Sequence, residues 1–140
     1  MTKHSAWMIR LSLIYFLLAF TFGALLLIEK AYHYQLGVWF TFPVHTEVAL
    51  FGWIIQLVMG TGYWILPRYI TGKPRDEGWK AWFMIITLNL GIVINVIYSF
   101  LYPGNSALLL PGRILEAAAI AMFAHLHWGR IYGYRQLHEN

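Results

Sequence analysis

The stretch Pro43-Val-His-Thr-Glu-Val-Ala-Leu-Phe-Gly-Trp53, which continues through Met59-Gly-Thr-Gly-Tyr-Trp-Ile-Leu-Pro67, decides the fold of this 140-residue chain. Residues Val48 to Leu66 carry no charge. At about 1.5 Å per residue they are long enough to cross the hydrocarbon core of a bilayer. Proline suits the first turn of a helix and the position just past its end. The stretch therefore predicts a transmembrane helix over residues 44–66.

The composition extends this prediction to the whole chain. Hydrophobic residues make up 59% and charged residues only 11%, far from the soluble average. Three further apolar runs predict helices at about 7–28, 81–101 and 112–130. The first begins like a signal peptide, but its 18 uncharged residues exceed the usual apolar region, so we expect it to be retained. We predict a single all-α domain over residues 1–140, an integral membrane four-helix bundle.

The basic residues predict the orientation of the bundle. Eight of the ten fall on one side of the predicted spans and two, Lys30 and Arg113, fall on the other. The eight are Lys3, Arg10, Arg68, Lys73, Arg75, Lys80, Arg130 and Arg135. The positive-inside rule then places both termini in the cytoplasm, as expected for a multi-pass protein of the cell inner membrane. The net charge of +4 forms no basic stripe, so we expect no nucleic-acid partner.

His45 is the candidate cofactor ligand. The chain has no cysteine, so a cofactor must be held by histidine, methionine or a carboxylate. Ionisable groups at membrane depth are expensive to place, and neutral imidazole is a common ligand of haem iron. On the same helix face lie two small residues, Ala49 and Gly52, which would leave a groove for a porphyrin. The alternative is a packing or interfacial histidine beside glycines that allow close helix approach.

A resemblance favours haem. The string His45-Thr-Glu-Val-Ala-Leu-Phe-Gly-Trp, followed by Gly60-Thr-Gly-Tyr-Trp-Ile-Leu-Pro-Arg68, resembles the second transmembrane helix of the catalytic subunit of haem-copper oxidases, particularly C-family oxidases and nitric oxide reductases. Gly112-Arg-Ile-Leu-Glu-Ala-Ala-Ala is similar to the family's fourth helix. The resemblance implies that His45 is an axial ligand of a low-spin b-type haem. Glu47 departs from it, because the closest relatives often have Asn there.

The resemblance also implies that some metal ligands of the family are missing from this sequence. The family's copper ligands and its second axial haem ligand lie on later helices, so we expect no oxygen reduction by this chain alone. His125 lies about 20 Å from the Pro111 end of its helix, too deep to share a haem with His45. We therefore predict His125 and His127 to be an interfacial pair. For the second ligand, one chain offers His33, and a homodimer offers a second copy of His45; we prefer the homodimer.

Polar residues on the third and fourth helices are further candidates for the cofactor site and for contacts between helices. Arg113 and Glu116 begin the fourth helix near the depth of His45. An arginine there would meet the haem propionates, while the alternative is an ion pair with Glu116 or Glu47. We assign Glu116 to the same site. Asn89 and Asn95 are predicted to form interhelical hydrogen bonds.

Together these features predict a membrane b-type cytochrome for electron transfer or the handling of a diatomic gas. The alternative is a non-catalytic structural subunit of a larger respiratory membrane complex. The sequence leaves the redox partner and any enzymatic activity open.

Overall fold

The structure, a computed structural model, describes residues 2–32, 37–66 and 78–135, with side chains as far as residue 128. Within these ranges it is helical apart from turns, and four helices are long and apolar enough to cross a membrane. They are α1 Lys3–Tyr32, α2 Val38–Ile65, α3 Gly78–Leu101 and α4 Leu110–Arg135. Each begins earlier than predicted, because the apolar run marks only the hydrocarbon-spanning part of a helix whose backbone continues into polar residues.

The second helix is not uniform. A 3₁₀ turn at Val38–Thr41 leads into an α-helical turn, Phe42–Glu47. A wider, π-helical stretch follows over Val48–Ile55, and a regular α-helix resumes at Gln56–Ile65. Stretches of this kind are rare and often lie at functional sites. The apolar pattern contains no signal for this one, which begins three residues after His45.

A buried carboxylate joins the start of α2 to the end of α1. Glu29 accepts hydrogen bonds from the backbone N–H groups of Gly37 and Val38, at 3.1 and 2.9 Å. Gly37 has a φ of 65°, which glycine adopts without a steric penalty. Residues 33–36, which include His33, lie outside the described residues, as do 67–77 and 136–140.

The core runs through the centre of the bundle and contains several methionines. Its buried members are Met8, Met59, Tyr63, Ala81, Met84, Ile85, Leu88, Ile92 and Ala119. Lipid tails are as apolar as leucine, so burial in a bilayer does not by itself drive helices together. Close packing and interhelical hydrogen bonds must do so, and flexible methionines fill gaps between irregular surfaces.

Glycine allows α3 and α4 to approach closely. A Cβ placed on Gly91 would lie 2.8 Å from the carbonyl oxygen of Gly112 and 3.0 Å from Cγ of Glu116. A Cβ on Gly112 would in turn overlap the side chain of Asn95. Neither position has space for a side chain, so the two backbones meet at this crossing.

Hydrogen bonds link all four helices. Ser5 donates to the Gly60 carbonyl at 2.7 Å, which joins α1 to α2. The hydroxyl of Tyr15 donates to Asn89 at 3.0 Å, which joins α1 to α3. Asn95 of α3 donates to carboxylates of α2 and α4. The predicted interhelical roles of Asn89 and Asn95 are therefore confirmed.

We expect Gly91→Ala to lower the stability of the bundle by roughly 1–3 kcal/mol, because the added methyl group forces the α3 and α4 backbones apart. Thermal unfolding in detergent measures the change. Leu90→Ala, at an exposed position on the same helix, is the control. If the two backbones were not in contact, Gly91→Ala would instead stabilise α3 through its higher helix propensity.

Candidate functional site

The imidazole of His45 is held by a backbone carbonyl of α1. Nδ1 of His45 lies 2.9 Å from the carbonyl oxygen of Ala19. A carbonyl oxygen only accepts, so Nδ1 carries the proton in this hydrogen bond. In the neutral ring the lone pair is then on Nε2. Metal-ligating histidines are commonly oriented by this kind of bond.

Gly23 provides the space in which the ring lies. A Cβ on Gly23 would be 2.9 Å from Cε1 and 3.3 Å from Nδ1 of His45. Any larger residue at this position would displace the imidazole. The ring therefore occupies the seam between α1 and α2, with its orientation set by one glycine and one carbonyl oxygen of α1.

The predicted groove below His45 is partly occupied by α1. Ala49 is half-buried, and Gly52 is buried under the ring of Tyr15, whose Cγ would be 2.5 Å from a Cβ on Gly52. Gly52 therefore allows α1 to approach α2 closely, as the alternative interpretation predicts. Ala49 remains a candidate lining residue, and the same face continues to Gln56, which is fully buried with no hydrogen-bond partner for its amide among the described residues.

A charged cluster lies on the other side of α2. Arg113 contacts Glu47 at 2.6 Å and Glu116 at 2.8 Å. Nδ2 of Asn95 donates to Glu116 at 2.9 Å and to Glu47 at 3.4 Å. Phe51 lies under the guanidinium group, 4.7 Å from Cζ to the ring centroid. Both carboxylates are almost fully buried, whereas the Arg113 side chain is 40% exposed.

Arg113 therefore forms the ion pair that was the alternative prediction for this residue, and it does so with both Glu47 and Glu116. His45 and Glu47 are two positions apart, about 200° around a helix, so the cluster and the imidazole lie on opposite sides of α2. The structure does not bring Arg113 and Glu116 next to His45 within one chain. The contact of Arg113 with haem propionates, and the assignment of Glu116 to the same site, stay predictions.

The opposite end of the bundle contains a second group of histidines. His127 and His4 are both buried, with ring centroids 5.2 and 6.0 Å from that of Tyr63. His125 is exposed. The two side chains have different surroundings because side chains two positions apart on a helix point to different sides. Their position at a membrane interface stays a prediction.

The histidine group was not found from the sequence, since His4 lies outside every motif. Its contacts with Trp82 of α3, at a centroid distance of 5.1 Å, and with Tyr63 appear only once the helices are packed. Gly23 is a glycine inside the first predicted span, but the sequence gives no signal that the imidazole of His45 packs on it. Within residues 2–32, 37–66 and 78–135, no three histidine, cysteine or acidic side chains are arranged to hold a metal ion.

Comparison of the chain with protein-family models, curated proteins and solved structures finds no match. The resemblance to haem-copper oxidases, the haem and the assignment of His45 to iron therefore stay predictions.

We expect Arg113→Gln to destabilise the protein by about 3 kcal/mol, because two buried carboxylates lose their compensating charge. Denaturant unfolding in detergent measures this. Adding Glu47→Gln should recover part of the loss, which a double-mutant cycle quantifies. Arg10→Gln, at an exposed arginine beside Trp7, should have little effect. Equal effects of the two arginine substitutions would contradict the structural role of the cluster.

Proposed function

We propose that this chain is a membrane b-type cytochrome, a minimal relative of the catalytic subunit of haem-copper oxidases, with His45 as an axial ligand of the haem iron. One observation carries the proposal. The hydrogen bond from Nδ1 of His45 to the Ala19 carbonyl leaves Nε2 as the available ligand atom. The motif that surrounds His45 supports the same assignment.

The residues present fit one axial side of a haem site. His45 would hold the iron, while Ala19 and Gly23 set the orientation of its ring. A haem at this position would supply one-electron transfer or the binding of a diatomic gas. The first requires two axial ligands and the second an open position, so the number of ligands separates the two roles.

The membrane location is supported by the four candidate spans. We propose the cell inner membrane, with both termini and the segment 67–77 in the cytoplasm, because eight of ten basic residues fall on that side. His45 then lies toward the outer face.

We propose that the second axial ligand comes from a homodimer in which two copies of His45 share one haem. His33, the ligand that a single chain offers, lies outside the described residues. A helix-borne ligand is held more rigidly than one in a connection between helices, and here a carbonyl of α1 holds it further. Two-fold symmetry is the commonest arrangement of soluble oligomers. Two-fold symmetry places both copies of Arg113 at the same distance from the shared haem, so one or both copies would be available to the propionates.

We expect the purified protein to show a b-type haem spectrum, and His45→Ala to abolish it. Gly23→Leu should weaken it, because the larger side chain displaces the imidazole without removing it. Absorption in the Soret region, normalised to protein concentration, is the measurement. Thr46→Ala, at the exposed neighbouring position, should leave the spectrum unchanged.

Circular dichroism of each variant separates loss of haem from loss of fold. A wild-type protein that is folded but colourless would refute the proposal. It would favour the alternative of a structural subunit in a larger respiratory complex. A His45→Ala protein with full Soret intensity would show that another residue holds the haem.

We expect one haem per two chains, since each copy supplies one axial ligand. Pyridine haemochrome quantitation against protein concentration measures this ratio, with the oligomeric state determined on the same sample. One haem per chain that is lost on His33→Ala would favour His33 as the second ligand. One haem per chain that survives this change would contradict both arrangements.

A further inference from the structure

A groove lies between α3 and α4 at the end of the bundle opposite His45. Its volume is about 560 Å³, within the range of small-molecule sites. Alanine side chains at 118 and 121 leave it open, and Phe83 and Met122 are among its apolar walls. Lys80 and His125 also line it. The site thus combines a long apolar surface with basic side chains.

Tryptophan residues show where this end of the bundle lies relative to a bilayer. Five of the seven in the chain are found at the start of α1 and α3 and at the end of α2 and α4, and all five are exposed: Trp7, Trp64, Trp79, Trp82 and Trp128. These helix ends are neighbours, as the contact between His4 and Trp82 and that between Tyr63 and His127 show. Indole rings are enriched at the level of lipid headgroups. The groove therefore extends from headgroup depth into the hydrocarbon.

The electrostatics at this level favour an anion. Lys80 lies in the first turn of α3, where the unpaired N–H groups carry partial positive charge, and its Nζ lies 5.8 Å from the ring centroid of Trp79. Lys80 also lines the groove. The lysine and the first turn of α3 therefore contribute positive charge at the end of the groove that meets the headgroups.

We propose that this groove binds one anionic phospholipid, with its phosphate near Lys80 and the first turn of α3, and an acyl chain along Ala118 and Ala121. The apolar walls match an acyl chain, and the lysine matches a phosphate. A neutral amphiphile would use the walls but not the charge. The inference rests on the proposed membrane location and is independent of the haem.

The test is native mass spectrometry of the full chain in detergent, with added phosphatidylglycerol or phosphatidylcholine carrying identical acyl chains. We expect phosphatidylglycerol to bind more tightly, and Lys80→Gln to weaken its binding by about fivefold, the contribution of one basic residue near a charged headgroup. Ala121→Leu should reduce binding of both lipids, because it fills the groove. Lys3→Gln, which removes an exposed charge at the same end, and Ala117→Leu, which adds volume outside the groove, are the matched controls.

Three results would overturn the proposal. They are equal binding of the two lipids by the wild-type protein, equal effects of Lys80→Gln and Lys3→Gln, and loss of a co-purified quinone or of Soret absorption on Ala121→Leu. The last would assign the groove to a different ligand. A colourless wild-type protein that still selects phosphatidylglycerol would refute the cytochrome proposal and leave the lipid site supported.

Discussion

The ion pairs that Arg113 makes with Glu47 and Glu116 impose the main constraint on this bundle. A carboxylate that is buried away from water must be compensated by groups of its own protein. Arg113 and Asn95 provide this for both carboxylates, and the four residues join α2, α3 and α4. The contacts are possible only where α3 and α4 lie backbone to backbone, which requires glycine at positions 91 and 112.

The first helix is attached to this unit by a different set of contacts. Ser5 and Tyr15 donate hydrogen bonds to α2 and α3, and the imidazole of His45 donates to the carbonyl of Ala19. The last contact serves packing as well as the proposed ligation, because it docks α1 on α2 and at the same time orients the ring. The packing and the cofactor hypotheses for His45 are therefore compatible.

The two ends of the bundle differ in chemistry. The end near His45 contains the charged cluster and the carboxylate of Glu29, which holds the start of α2. The other end contains five exposed tryptophans, the buried histidines His4 and His127, and the groove beside Lys80. This difference matches the uneven distribution of basic residues along the chain and gives each end a separate candidate ligand.

The sequence by itself determined the number, the approximate bounds and the apolar character of the four helices, because hydropathy is a property of each segment alone. It also identified Asn89 and Asn95 as interhelical groups, since an amide at membrane depth needs a partner. Only the tertiary structure decided which partner each polar group takes. Helix rotation and register depend on packing against neighbouring helices, so the local pattern of residues gives no signal for these contacts. Examples are the ring of Tyr15 over Gly52, the imidazole of His45 on Gly23, and the two carboxylates on Arg113.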